Sequence, residues 1–172
     1  MVSKKRFFNV RIPLLNSDIQ ALANTIDELD GRIISYDLTR MLRGKNLVAT
    51  LKIKVKDGKA EASFLSVNLI SSYLARLMRS NISYVEDSFI CNSKSGKVRI
   101  KPFLLTRKKV HRSVRKALRN KTKEFLVDYL SKKEPEEIFD SILRATLQKE
   151  LGIVLKKIYP LTLCEIRSMK IL

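Results

Sequence analysis

Leu47-Val48-Ala49-Thr50-Leu51-Lys52-Ile53-Lys54-Val55-Lys56-Asp57-Gly58 decides the fold class of this chain. Leu47, Ala49, Leu51, Ile53 and Val55 alternate with Lys52, Lys54 and Lys56, the period of a strand with one dry and one wet face. Asp57-Gly58 is a hairpin turn signal, and residues 60–69 return as the partner strand. Working outward, Phe7-Phe8-Asn9-Val10-Arg11-Ile12, ended by Pro13, reads as a first strand, and Gly31 introduces a β-branched and aromatic strand over residues 32–38. A second hairpin runs over 84–91 and 98–105, turning at Lys94-Ser95-Gly96-Lys97. After Tyr159-Pro160, residues 161–172 alternate as a last strand.

Helical spacing fills the gaps. Asn16-Ser17-Asp18 predicts a cap for a short helix ending at Ile26. Residues 70–80 place Tyr73, Leu74, Leu77 and Met78 on one face behind a cap at Ser71 or Ser72. Thr106 is the N-cap expected for a long helix to Leu130, with Val110, Val114, Ala117, Leu118 and Phe125 on its apolar face. Lys121 then falls inside that stripe, so its stem must snorkel out or the helix must bend. Glu134-Pro135-Glu136-Glu137 starts another helix, with Pro in the first turn and acids at the positive dipole end, and its continuation reaches Lys157. The whole reads as α+β: a mainly antiparallel, β-barrel-like sheet of six to seven strands with flanking helices, in a single domain over residues 1–172.

The charge speaks of partners. Thirty-five Lys and Arg face 17 Asp and Glu, a formal net charge of +18 on 172 residues. With 45% hydrophobic residues the chain can bury a core, and 5 Gly and 4 Pro leave no low-complexity linker. Cys91 and Cys164 lack metal-ligand spacing and are expected as buried free thiols in a reducing cytosol. No signal peptide is read at Met1-Val2-Ser3-Lys4-Lys5-Arg6, and residues 62–75, the longest uncharged stretch, are too short and polar to span a bilayer, so a soluble intracellular protein is expected.

The excess is concentrated. Residues 88–123 contain no Asp or Glu and thirteen cations: Lys94, Lys97, Arg99, Lys101, Arg107, Lys108, Lys109, Arg112, Arg115, Lys116, Arg119, Lys121 and Lys123. Apolar residues interleave with them, so the segment folds, and folding crowds like charges that only an external polyanion relieves. Nucleic acid is that polyanion. Lys97, Arg99 and Lys101 share one strand face at intervals of about 7 Å, a spacing that follows successive phosphates. Arg107-Lys108-Lys109 is expected at a helix N-terminus, where the macrodipole disfavours cations unless a phosphate binds there. His111, the only histidine, has no carboxylate in helical reach; it is read as a phosphate or base contact, or as an exposed imidazole.

Other chemistries find less. Ser95-Gly96-Lys97 lacks the earlier glycine of a phosphate-binding loop and is a turn. Asp27-Glu28-Asp30 and Glu134-Glu136-Glu137 suit caps and solvated surface rather than acid–base catalysis. The basic amphipathic segment 107–129 could lie on a membrane, but its apolar face is small and lacks Trp, so core packing is its expected use. No enzyme, cofactor, metal site, membrane or small-molecule substrate is expected. A free RNA- or DNA-binding regulatory or chromatin protein is the alternative to a nucleic-acid binder with a purely structural role.

Four strings resemble one family: Lys5-Arg6-Phe7-Phe8-Asn9-Val10-Arg11-Ile12-Pro13; Gly31-Arg32-Ile33-Ile34-Ser35-Tyr36-Asp37-Leu38; Gly96-Lys97-Val98-Arg99-Ile100-Lys101-Pro102; and Lys156-Lys157-Ile158-Tyr159-Pro160-Leu161 with Glu165-Ile166-Arg167. In this order they resemble the S-three-Ae (eS-one) family of archaeal and eukaryotic small-subunit ribosomal proteins. The resemblance implies a barrel-centred α+β protein on the platform of the small subunit, in the cytoplasm, binding small-subunit rRNA near the messenger exit. Neighbouring ribosomal proteins, and messenger RNA at the exit, are the further partners it implies. The expected rRNA-binding residues are Lys4, Lys5, Arg6, Arg76, Arg79, Lys94, Lys97, Arg99, Lys101, Arg107, Lys108, Lys109, His111, Arg112, Arg115, Lys116, Arg119, Lys123, Lys156 and Lys157.

Overall fold

The computed structural model describes residues 5–42, 46–56 and 58–172. Along the chain come β1 (Arg6–Ile12), β2 (Ser17–Ala23), β3 (Ile33–Asp37), β4 (Leu47–Lys56), β5 (Lys59–Leu69), α1 (Ser71–Leu77), β6 (Tyr84–Glu86), β7 (Phe89–Ser93), β8 (Gly96–Thr106), α2 (Arg112–Ser131), α3 (Pro135–Leu143), α4 (Thr146–Lys156) and β9 (Leu161–Ile171). The alternating run forms β4, with Leu47, Ala49, Leu51 and Ile53 buried and Lys52, Lys54 and Lys56 in solvent. Its turn carries Gly58 at φ 71°, where glycine costs nothing; Asp57 lies outside the described residues.

The fold is α+β, and its sheet corrects the expected one. Among the described residues nine strands join in the order β2-β1-β5-β9-β8-β6, with β4 and then β3 branching from β5 and β7 pairing with β8. The pairs are antiparallel except β1 with β5, which is parallel through Val10↔Ala60 and Arg11↔Glu61. The sheet is therefore mixed through this one parallel pair and open, in place of the mainly antiparallel, barrel-like sheet of six to seven strands expected. Two strands were not expected. β2 replaces the helix read from Asn16-Ser17-Asp18: Asn16 turns in the left-handed region at φ 47°, and Ala21 and Ala23 point inward beside β1. The strand expected over 84–91 splits into β6 and β7 at Asp87-Ser88. These residues stand opposite Lys101-Pro102, where β8 shifts register against β9 and proline has no N–H to donate.

The helices lie where their apolar faces can be covered. α2 packs on β6, β7 and α4, burying Leu118, Thr122, Leu126 and Leu130. Lys121 is off this stripe, so neither snorkelling nor a bend is needed; it pairs with Glu124 at 3.0 Å. α3 starts as the sequence predicts, with Pro135 at its first turn and a reciprocal cap between Glu134 and Glu137. It stops at Ala145, φ 61°, and α4 restarts with Thr146 donating to the Ser141 carbonyl at 3.2 Å and Gln148 to that of Ile142 at 3.0 Å. α1 is entered from Ile70 without a side-chain cap, in place of the cap expected from Ser71 or Ser72. Phe103 and Phe139 are fully buried, and Phe139 meets Phe64 with ring centroids 5.4 Å apart. Cys91 and Cys164 are free, the first buried and the second half-buried. Among the described residues no helix is long and apolar enough to cross a membrane.

Candidate nucleic-acid interface

Where α2 begins changes the meaning of the basic run. Thr106 is not its cap: it ends β8, fully buried, paired with Leu161 of β9. Its hydroxyl accepts from the Ser83 N–H at 3.0 Å and lies 2.7 Å from the Lys108 carbonyl oxygen, to which it donates. Strand pairing on both sides of β8 outcompetes helix nucleation, which is costly for the first turn. The cap is His111, whose Nδ1 accepts from the Ser113 N–H at 3.4 Å and sits 3.0 Å from the Ser113 hydroxyl. Arg107-Lys108-Lys109 therefore lies in the exposed connector between β8 and α2, and the expected phosphate site on a helix dipole at these residues is lost.

α2 gathers the next cations. Arg112, Arg115, Lys116, Arg119 and Lys123 are exposed and spaced by three and four residues. At 100° per residue they fall within a stripe about 100° wide, flanking the buried one. The acids of this helix, Glu124 and Asp128, lie on another face and pair with Lys121 at 3.0 Å and Lys132 at 2.8 Å. Of the thirteen cations in residues 88–123, Lys121 alone is in an ion pair among the described residues. Glu86 has its carboxylate taken by Arg167 of β9 and offers Arg119 its carbonyl oxygen, at 3.5 Å. Tyr84, 56% exposed on the edge strand β6, lines with this stripe a cleft of about 630 Å³, together with His111, Ser113 and Asn120.

The strand cations sit elsewhere. Val98 and Ile100 are buried beneath α2 with Cys91, on whose thiol the Lys123 ammonium acts; burial, the larger effect, raises that thiol above its ordinary pKa. Lys97 and Arg99 point to the opposite side of the sheet, with Lys101 half-buried beyond them. There Arg99 is flanked by Ile90 on β7 and by Lys170 on β9, and Lys170 in turn by Ser66 on β5. Lys97 stands beside Asn92 and Lys101 beside Ser168, so among the described residues no acid is the direct cross-strand neighbour of these cations. The other half of the sheet is built differently: Asp18, Arg11, Glu61 and Lys54 follow one another across β2, β1, β5 and β4, alternating in sign. Like charges directly opposite destabilise a sheet and unlike ones support it, so the Arg99–Lys170 pair leaves charge unsatisfied, as does Lys56 opposite Lys59 at the tip of the β4–β5 hairpin.

The remaining expected residues scatter. Lys4 lies outside the described residues, and Lys5 and Arg6 are exposed at β1, three strands from β8. Arg76 and Arg79 are exposed at the end of α1 and beyond it. Lys94 is at the hairpin tip, which is fastened to the start of α3 by its own N–H on the Lys133 carbonyl at 3.4 Å and by Ser95 on Glu134. Lys156 and Lys157 end α4 close to the connector, since the Pro160 carbonyl accepts from the Arg107 N–H at 3.3 Å. Tyr84 and Lys170 were missed; nothing in a strand sequence says which helix or strand it will face. No group of three or more His, Cys, Asp or Glu side chains among the described residues is placed to hold a metal ion.

Comparison with known proteins decides the family. The model of the Ribosomal S3Ae family matches residues 1–172. The chain belongs to the Ribosomal S3Ae family. Curated relatives named small ribosomal subunit protein eS1 include that of Halorubrum lacusprofundi, 30% identical over 179 residues, covering 96% of this chain and 81% of the relative. That of Nanoarchaeum equitans is 25% identical over 165 residues, covering 91% and 83%. That of Desulfurococcus amylolyticus is 28% identical over 155 residues, covering 87% and 73%. In this Ribosomal S3Ae member the two unmatched cationic surfaces lie on opposite sides of the β6–β9 part of the sheet, joined along the chain by the Arg107–Lys109 connector.

Proposed function

We propose that this chain is a structural constituent of the small ribosomal subunit, binding small-subunit rRNA as a single domain over residues 1–172 and catalysing nothing. The observation that carries this is a folded basic segment whose cations, Lys121 aside, have no carboxylate partner among the described residues, in a member of the Ribosomal S3Ae family. The relatives' name, small ribosomal subunit protein, supports the same place in translation. Residues already paired within the protein gain little from RNA; unpaired ones release counterions on meeting phosphate, which supplies most of the affinity. The α2 stripe and the Lys97–Arg99–Lys101–Lys170 side face opposite directions, so two separate RNA segments are held with the protein wedged between them. The sites at Lys4, Lys5, Arg6, Arg76, Arg79, Lys156 and Lys157 are secondary contacts around these two. Neighbouring ribosomal proteins, and messenger RNA at the exit from the platform, complete the surroundings on the cytoplasmic ribosome.

Co-sedimentation tests this. The chain should travel with small subunits through a sucrose gradient, and Gln substitutions on either surface should lower its occupancy. A protein that stays at the top of the gradient, or that binds duplex DNA as tightly as rRNA, would instead be a free nucleic-acid-binding regulator.

A further inference from the structure

The cleft between Tyr84 and the α2 stripe is more than charge. Four cations, Arg112, Arg115, Lys116 and Arg119, and one aromatic ring line a single cavity of about 630 Å³, within the range of about 300–1,000 Å³ typical of small-ligand sites. Tyr84 is 56% exposed, with no hydrogen bond to its hydroxyl among the described residues, so its ring has no role in the core. Its neighbour Val85, 3% exposed, is the residue that anchors β6. A phosphate backbone alone needs only the cations; a duplex, with its bases stacked inside, offers no ring to Tyr84. An unpaired nucleotide uses both, placing its base on an aromatic face and its phosphates on the flanking cations.

Resting on the rRNA-binding function proposed above, we infer that this cleft holds a single unpaired nucleotide of the RNA, its base stacked on Tyr84 and its adjoining phosphates on Arg112, Arg115 and Lys116. The α2 surface is thereby specific for a single-stranded loop or bulge rather than for a helix. Arg119 steadies the wall of the cleft through the Glu86 carbonyl at 3.5 Å.

The full chain is titrated with a fluorescently labelled short oligouridine and with a blunt RNA duplex of equal length, each across a salt series. Y84A should weaken oligouridine binding roughly 5- to 150-fold, as loss of one base stack does, with the salt slope and the duplex affinity unchanged. Y84F should bind as the unaltered chain. R112Q/R115Q/K116Q should instead lower the single-strand salt slope by up to about 2. An abasic version of the same oligonucleotide should bind the unaltered chain more weakly by a factor like that of Y84A, a measurement that needs no variant. Equal binding of oligouridine by Y84A and the unaltered chain, equal losses on duplex and single strand, or equal affinity for the abasic strand overturns the nucleotide pocket. If the arginine and lysine variant still loses affinity in those cases, the rRNA-binding function stands and only the pocket falls. If the unaltered chain binds no RNA, both fall.

Discussion

Replacing Arg115 and Lys116 by glutamine should stabilise the free protein while weakening its hold on RNA. The two residues sit on the α2 stripe three or four positions from Arg112 and Arg119, so each faces like charge in both directions. Four repelling pairs vanish together in R115Q/K116Q. At about 0.2–0.5 kcal/mol per like-charged pair at this spacing, the helix gains about 1–2 kcal/mol at low salt. Glutamine keeps nearly the helix propensity of the residues it replaces, so that gain is not spent on the backbone. For a protein of this size the expected rise in Tm is roughly 2–8 °C, fading as salt screens the stripe. Thermal unfolding followed by circular dichroism at low and at moderate ionic strength measures it. The same variant should lose roughly 1.4–1.8 from the log–log salt slope of RNA binding, two phosphate contacts' worth. A melting temperature that falls at low salt would mean the stripe is matched within the protein. An unchanged slope would mean it never meets RNA. Either result refutes the assignment of this face.

Three further outcomes are expected. Charge reversal of Arg107, Lys108 and Lys109 should weaken RNA binding and leave thermal unfolding nearly unchanged, because the connector is fastened by Thr106 and by backbone bonds rather than by these exposed side chains; equal damage to both would place the triplet in the fold instead. A145G should raise the unfolding free energy by about 1 kcal/mol in a urea titration, since Ala145 at φ 61° occupies a region that disfavours every residue with a Cβ; a loss would show that its methyl group packs. Burial pushes the Cys164 thiol up from an ordinary 9.0 to about 12, with the Glu165 charge adding to it. The unfolded chain then ionises first as pH rises, so this thiol's contribution to stability, fully present below pH 9, is lost progressively between about 9 and 12. C164A should flatten that part of the stability curve, and iodoacetamide at mildly alkaline pH should label Cys164 in the native protein at least about 100-fold more slowly than in urea.

What could be read without coordinates was what neighbours in sequence settle between themselves. The alternation of β4, the proline and acids that start α3, and the stop at Tyr159-Pro160 are local signals, and each element formed where it was expected. The cations of α2 were legible too, because three- and four-residue spacing fixes a helix face. Local signals failed where a distant strand competed for the same backbone. Asn16-Ser17-Asp18 looks like a cap, yet pairing with β1 draws residues 17–23 into a strand. Thr106 looks like another, yet β9 claims it and moves the helix start to Arg112.

The sequence by itself determined that this protein folds, that it is α+β, and that it carries positive charge its own acids cannot balance. Those are sums and periods, fixed by composition and by the geometry of one element at a time. Only the tertiary structure decided which charges stand together. It set Asp18, Arg11, Glu61 and Lys54 in an alternating row on one half of the sheet and left Arg99 against Lys170 on the other. It also brought Tyr84 and the α2 cations to the lining of one cleft. Coulomb energy and stacking depend on distances of a few ångströms, and those distances are made by strand register and helix docking, which bring together residues far apart along the chain.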